Sequence, residues 1–360
     1  MSSAGESHPR ERLAKIFEID RRGINLPRAA VATGVLLIPF IVLAAVGHEK
    51  YWLSVSFAAL FTGIADPGGA YRIRLRTMAA VGLIGTLLTA LGFAIGGGPW
   101  WIVLVVSVVL TFLSGLVIKF GAHTYTAALM LLSWFLVAIS VPAGEHLSPA
   151  HSGWWQQALA WLVGSALWIA VTLVGWLVLG RKARATNFPE IPADTAQTPL
   201  TRPVILFSVI RALAIGISVA IAFGLHLPNA DWMPIATLVA MKTSLSQAAL
   251  ASEQRIAGAL IGALVATLFL FTVHNIHALE IVIVIAAATA AAMRAANYAI
   301  YCAAVATTVL IAEDIPHPSD LHTEGRRVLF TFLGLGIGIV VLYVATLIQK
   351  RSAKAVAPAT

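Results

Sequence analysis

The stretch TMAAVGLIGTLLTALGFAIGGGPWWIVLVVSVVLTFLSGL, residues 77–116, contains no acidic, basic or histidine residue. A helix rises about 1.5 Å per residue, so about 20 apolar residues cross about 30 Å of hydrocarbon. Two crossings are predicted around this stretch, at 77–96 and 99–118, separated by Gly97-Gly98-Pro99. The apolar residues run on without alternating, which excludes the period-2 strands of a membrane β-barrel. Working outward, candidate spans fall at 29–47, 51–65, 122–141 and 154–179. After a polar segment they resume at 204–225, 232–248, 256–273, 276–293, 298–312 and 328–348. Composition agrees. AVILMFWYC make up 59% of the 360 residues and charged residues only 11%, against about 25% in soluble domains. A soluble domain and a disordered chain are both excluded. The expected fold is all-α: a polytopic membrane protein with about twelve transmembrane helices, arranged as two parallel six-helix repeats.

Charge placement orders these spans. With twelve crossings, all of the 24 Lys and Arg except Lys50, Arg326 and Arg327 fall on one side. That is the positive-inside pattern, so the net charge of +8 reflects topology and not nucleic-acid binding. The expected organisation is a basic cytoplasmic segment at 1–28, a first six-helix module at 29–180 and a cytoplasmic linker at 181–203. A second module at 204–348 and a cytoplasmic tail at 349–360 complete it. The location expected is the inner membrane, with both termini inside. Residues 1–28 have no apolar stretch of the kind that defines a signal peptide. Residues 10–24 suit either an in-plane basic helix, with Leu13, Ile16, Phe17 and Ile24 toward lipid, or a disordered basic tail. One cysteine, Cys302, excludes an intrachain disulfide.

The two halves match piece by piece. Arg28-Ala29 and Arg211-Ala212 begin them. Tyr51-Trp52-Leu53 matches Asp231-Trp232-Met233, and Arg76 before GLIGTLL (82–88) matches Arg255 before GALIGALV (258–265). Lys119 with Tyr125, and Arg294 with Tyr298, open the fifth span of each half. Duplicated helical halves are a common transporter architecture. The sequence has no Walker A, HExxH or GxSxG motif, so an enzyme is not expected, and no cofactor or metal site is predicted.

Matching short or interrupted spans are the best sequence pointer to a transport site. Span two of the first half stops at Asp66-Pro67-Gly68-Gly69, and its counterpart has Pro234 inside and meets Lys242 about ten residues below Trp232. A lysine at that depth costs at least about 2.5–3.5 kcal/mol unless paired or hydrated, although it could also snorkel to the interface. A cation beside an aromatic ring suits an aromatic carboxylate. The candidate substrate-binding residues are therefore Lys242, Arg255, Arg76, Arg294, Lys119, Trp52, Trp232, Tyr298 and Tyr125. Each cation also reads singly as a positive-inside anchor. Candidate proton-coupling acids are Asp66, Asp231 and Glu253, with Asp66 equally placed to cap its own turn. Gly82, Gly85, Gly92, Gly96, Gly258, Gly262, Gly334, Gly336 and Gly338 are read as helix-packing positions.

At Asp231-Trp232-Met233-Pro234, Arg255-xx-Gly258-xxx-Gly262, Arg294…Asn297-Tyr298-Ala299 and Arg327…Gly334 the chain resembles the fusaric acid resistance protein-like family. DPGGAYRIRLR (66–76) and GLIGT (82–86) look similar in the first half. This family includes bacterial aromatic acid exporters. The resemblance covers about 28–180 and 204–350, and implies paired six-helix modules and efflux of aromatic or other organic anions. Similar modules build the anion pathway of plant aluminium-activated malate channels. The larger exporters carry long cytosolic regions that are short here, which leaves partnership with a periplasmic adaptor open. The expected function is proton-driven export of organic, aromatic carboxylate anions. A passive organic-anion channel and a non-transporting membrane scaffold are the alternatives. The expected partners are the bilayer and a small organic anion, with a homodimer compatible with the sequence.

Overall fold

The computed structural model describes residues 16–144, 152–184, 199–227, 232–241, 249–273, 275–314, 326 and 329–344. Among them are α1 (Leu26–Ala45), α2 (Trp52–Ile64), α3 (Tyr71–Gly96), α4 (Trp100–Leu116), α5 (Ala122–Gly144) and α6 (Trp154–Val178). Then come α7 (Arg202–Gly224), α8 (Trp232–Ala240), α9 (Ala249–Thr272), α10 (Ile276–Met293), α11 (Tyr298–Asp314) and α12 (Leu329–Val344). The described residues form no named strand. The chain is all-helical, as expected. Seven helices are long and apolar enough to cross a membrane: α1, α3, α4 with its 3-10 extension, α5, α6, α7 and α10. The apolar parts of α9, α11 and α12 are shorter, as is α2 at 13 residues, and α8 is the shortest of these at 9.

The helices gather into two compact units, and neither is one half of the sequence. The smaller contains α1 with α9, α10 and α11. The larger contains α2 to α8 and α12. In the smaller unit the first helix of the chain packs on α10, the fourth helix of the second half. In the larger unit α7, the first helix after the linker, packs on α4, the fourth helix of the first half.

Within the larger unit, α2 is buried along its whole length. A helix apolar on every side is stable only when it is surrounded, and α3, α5 and α6 surround it. Small residues set the distances. A Cβ on Gly164 of α6 would collide with the Val55 carbonyl oxygen and Ala58 of α2, and one on Gly63 would enter the Trp168 ring. Thr62 donates to Ser165 Oγ (3.0 Å), and Ser54 to Gln157 Oε1 (2.5 Å). In lipid, such close contacts and interhelical hydrogen bonds replace the hydrophobic drive between helices. The rings of Phe57, Trp134 and Trp161 stack beside them, with centroids 5.0 and 4.8 Å apart.

The second short helix is treated the same way. A Cβ on Gly334 of α12 would collide with the Met233 carbonyl and Ala236 of α8, and one on Gly338 would press on Ala240. Thr237 donates across to the Gly334 carbonyl (3.0 Å). In the smaller unit, Gly258 and Gly262 of α9 lie against the backbone of α11 at Ala299 and Ala303. Gly82, Gly85, Gly92 and Gly96 of α3 are equally close to α6 and α5. These glycines pack helices, as the sequence suggested, whereas Gly336 has open space around it.

Gly164→Ala is expected to destabilise the protein by about 1–3 kcal/mol, because the obstructing atom is backbone and cannot rotate away. Gly175→Ala on the same helix, with nothing within 4 Å of the added Cβ, is expected to be neutral. Thermal unfolding of both variants in detergent checks this contrast.

Candidate functional site

Pro203 at the start of α7 has the fixed φ that favours a helix beginning at Arg202. Arg211 is nine residues further on, about 14 Å along the axis, inside a helix that can span the membrane. It is 0% exposed. Its Nη1 donates to Tyr125 Oη (2.6 Å), and its Nη2 to Ser114 Oγ (2.9 Å) and the Thr111 carbonyl (3.1 Å). The guanidinium carbon lies 5.5 Å from the centroid of the Tyr125 ring. Three helices build this cradle. α4 supplies Thr111 and Ser114 in its last two turns, where the helix tightens into the 3-10 turn Val117–Phe120. α5 supplies Tyr125 one turn after the bend at Gly121, whose φ of 106° suits glycine. Gly115 lets Ser208 and Arg211 come close, since a Cβ there would meet both. A cation, a hydroxyl-lined helix end and an aromatic face thus meet inside the bundle. Those are the groups that hold a carboxylate and the ring attached to it.

A second charged cluster lies where α2 turns into α3. The turn Asp66-Pro67-Gly68-Gly69 is buried, with Gly68 and Gly69 at φ 76° and 72°. Asp66 accepts from the Gly68 amide (3.0 Å), and from Arg74 Nε at Oδ1 (2.8 Å) and Arg74 Nη2 at Oδ2 (2.6 Å). The pair is bidentate, with side chains 0% and 3% exposed. Arg74 also lies 4.8 Å from the centroid of the Tyr71 ring. His123 Nε2 donates to the Ala65 carbonyl, tying the turn to α5.

The residues named from the sequence fall as follows. In the larger unit Trp52 and Trp232 are buried at the first turns of α2 and α8, and Tyr125 is buried against Arg211. Arg76 and Lys119 are exposed. In the smaller unit Arg294 and Tyr298 are half-buried at the turn between α10 and α11, where Tyr298 stacks on Tyr301 with centroids 5.7 Å apart. Arg255 and Glu253 lie on α9, with side chains outside the described residues, and Lys242 and Asp231 lie outside them altogether. Sequence reasoning named Tyr125 and Asp66 but missed the cation bound to each. Arg211 was counted with the topology-setting charges of the linker. The available signal was the position of Arg211 itself, eight residues inside the span expected from Pro203 onward at 204–225.

The smaller unit has its own polar feature. Residues 16–25 lie across the α10–α11 turn. Asn297 Nδ2 donates to the carbonyls of Ile16 (3.0 Å) and Glu18 (2.9 Å), and Gln254 Nε2 also donates to Ile16 (3.2 Å). The amides of Asp20 and Asn25 donate to Ala296 and Ala292 (2.9 and 3.0 Å). Asn297 Oδ1 accepts the Ile300 amide, capping α11. Asn297→Ala removes a helix cap and two bonds to the segment 16–25, of which Ile16 is buried, at about 1 kcal/mol each. The expected loss is about 2–3 kcal/mol, read as faster proteolysis within residues 16–25.

The fold defines a multi-pass helical membrane protein. Residues 215–341 match the model of the fusaric acid resistance protein-like family, so the resemblance read from the motifs of the second half holds over that stretch. This is a family of membrane transport proteins and not of enzymes. Comparison with curated proteins and with solved structures gave no match.

Proposed function

We propose that this chain is a secondary transporter that exports organic anions, aromatic carboxylates above all, across the inner membrane, driven by the proton gradient. The observation that carries the reading is Arg211, fully buried in a membrane-spanning helix and held against the Tyr125 ring. An arginine there costs at least about 2.5–3.5 kcal/mol, and transport of an anion gives it a reason to persist. The substrate carboxylate takes over guanidinium donors now directed at Ser114 and Thr111, and its ring lies on Tyr125. Arg76, Lys119, Arg294 and Arg255 gather anions at the cytoplasmic face, where both termini also lie, and Lys242, deeper in the membrane, is a further carboxylate-binding cation. Trp52 and Trp232 supply apolar walls within the larger unit, and Tyr298 does so within the smaller.

Proton coupling falls to Asp66, whose bidentate hold on Arg74 is broken when the carboxylate takes up a proton. Asp231 and Glu253 are the further proton carriers. The reciprocal placement of α1 and α7, and the glycine contacts shared by α2 with α6 and by α8 with α12, support two parallel repeats.

The test is anion flux in proteoliposomes under an imposed ΔpH or an imposed voltage alone. Uphill accumulation of benzoate that collapses with ΔpH is the expected result. Downhill flux that follows voltage and ignores ΔpH makes the protein a channel. No flux of any anion leaves a scaffold.

A further inference from the structure

We propose that the smaller unit holds a second aromatic-carboxylate site, built on Arg28 and Tyr301 and equivalent to the Arg211–Tyr125 cradle of the larger unit. The proposal rests on the functional reading of Arg211 given above. Its own basis is that the smaller unit repeats the parts of the cradle in the same order. In the larger unit the arginine comes from the first helix of one half and packs on the fourth helix of the other, α7 on α4. In the smaller unit α1 packs on α10 in the same relation. Arg28 and Arg211 are each followed by alanine, and Arg28 is also buried, at 9% exposure.

The surroundings of the two arginines correspond. Arg211 binds Ser114 in the last turn of α4. Arg28 donates its amide to Asn25 Oδ1 (2.9 Å), and the Asn25 amide donates to the carbonyl of Ala292 in the last turn of α10 (3.0 Å). Both arginines therefore sit by the C-terminal end of a helix, the end whose carbonyls favour a cation. Tyr125 is the fourth residue of α5, and its amide bonds the Gly121 carbonyl (3.1 Å). Tyr301 is the fourth residue of α11, and its amide bonds the Asn297 carbonyl (3.1 Å). Both tyrosines are buried.

The differences define the ligand. The end of α10 is Ala-Ala-Ala-Met where α4 has Ser114, whose hydroxyl accepts from Arg211, so the last turn of α10 carries no side-chain hydroxyl. Tyr298 adds a second ring stacked on Tyr301. The site is less polar and more aromatic than the first, and takes a carboxylate carried on a ring. The bound segment 16–25 crosses the turn that leads into Tyr298, so this site lies beside it.

Equilibrium dialysis of the full-length protein in detergent with radiolabelled benzoate tests the proposal. Two benzoates per chain are expected at saturation, falling to one in Arg28→Gln and to one in Arg211→Gln. Tyr301→Leu, which removes the ring, is expected to weaken one of the two binding steps about tenfold and serves if Arg28→Gln does not fold. One benzoate per chain, lost in Arg211→Gln but untouched by Arg28→Gln and Tyr301→Leu, would overturn the second site and leave the first standing. No binding to the unaltered protein overturns both.

Discussion

Replacing Asp66 by alanine is expected to cost about 3–5 kcal/mol of stability, the range measured when one partner of a buried ion pair is removed. Arg74 is 3% exposed and would keep its charge with two donors unpaired. The Gly68 amide would lose its acceptor as well, in a turn whose two glycines are held at positive φ. Asp66→Asn separates the contributions. It keeps an oxygen for Gly68 and Arg74 but removes the charge, and should fall between alanine and the native protein. The double variant Asp66→Leu with Arg74→Met should recover most of the loss, because a buried pair replaced by apolar residues of similar volume is often neutral or better. Unfolding in detergent, run as a double-mutant cycle, gives the coupling directly. A single-variant cost below about 1 kcal/mol would mean that the pair behaves as a surface pair, and the coupling role assigned to Asp66 would go with it.

That prediction depends on a feature only partly legible in the sequence. The turn could be read: Asp-Pro-Gly-Gly after a mostly apolar stretch stops a helix by its own chemistry. The span expected at 51–65 became α2, Trp52–Ile64. Arg74 could not be assigned as the partner from spacing alone, because Arg72, Arg74 and Arg76 alternate along the same helix and only the fold buries one of them. Tyr125 was legible as a ring beside a cation, but the cation expected was Lys119, which is exposed. The actual partner, Arg211, is far along the chain. Hydropathy reports which residues leave water, and is silent on which helix they meet. For the same reason the sequence suggested two similar halves but not that α1 packs on α10 and α7 on α4. The glycines were easier. A small residue recurring every third or fourth position has one frequent use between helices, and Gly258 and Gly262 have it here.

Arg211→Gln is expected to lower benzoate flux by about 30-fold to 4,000-fold, the equivalent of the roughly 2–5 kcal/mol lost when one partner of a buried, hydrogen-bonded charge pair is removed. Stability should change little. The variant takes an ion out of the bundle, which offsets the hydrogen bonds that Tyr125, Ser114 and Thr111 lose. That separation of flux from stability distinguishes a substrate cation from a structural one. If Arg211 only held α4, α5 and α7 together, the glutamine variant would unfold more readily, and its flux per folded molecule would be unchanged. Arg211→Lys refines the assignment. It keeps the charge but loses the planar fork that meets a carboxylate with two parallel bonds, so flux should be partly restored with a raised KM. Tyr125→Phe keeps the ring face and removes one hydrogen bond to the guanidinium. A loss of about 1 kcal/mol predicts a fivefold to tenfold effect, about the same for aromatic and aliphatic carboxylates. Tyr125→Ala removes the face as well, and should penalise benzoate more than acetate. A ring that merely packs would affect both alike, so the ratio of the two fluxes decides whether Tyr125 reads the substrate.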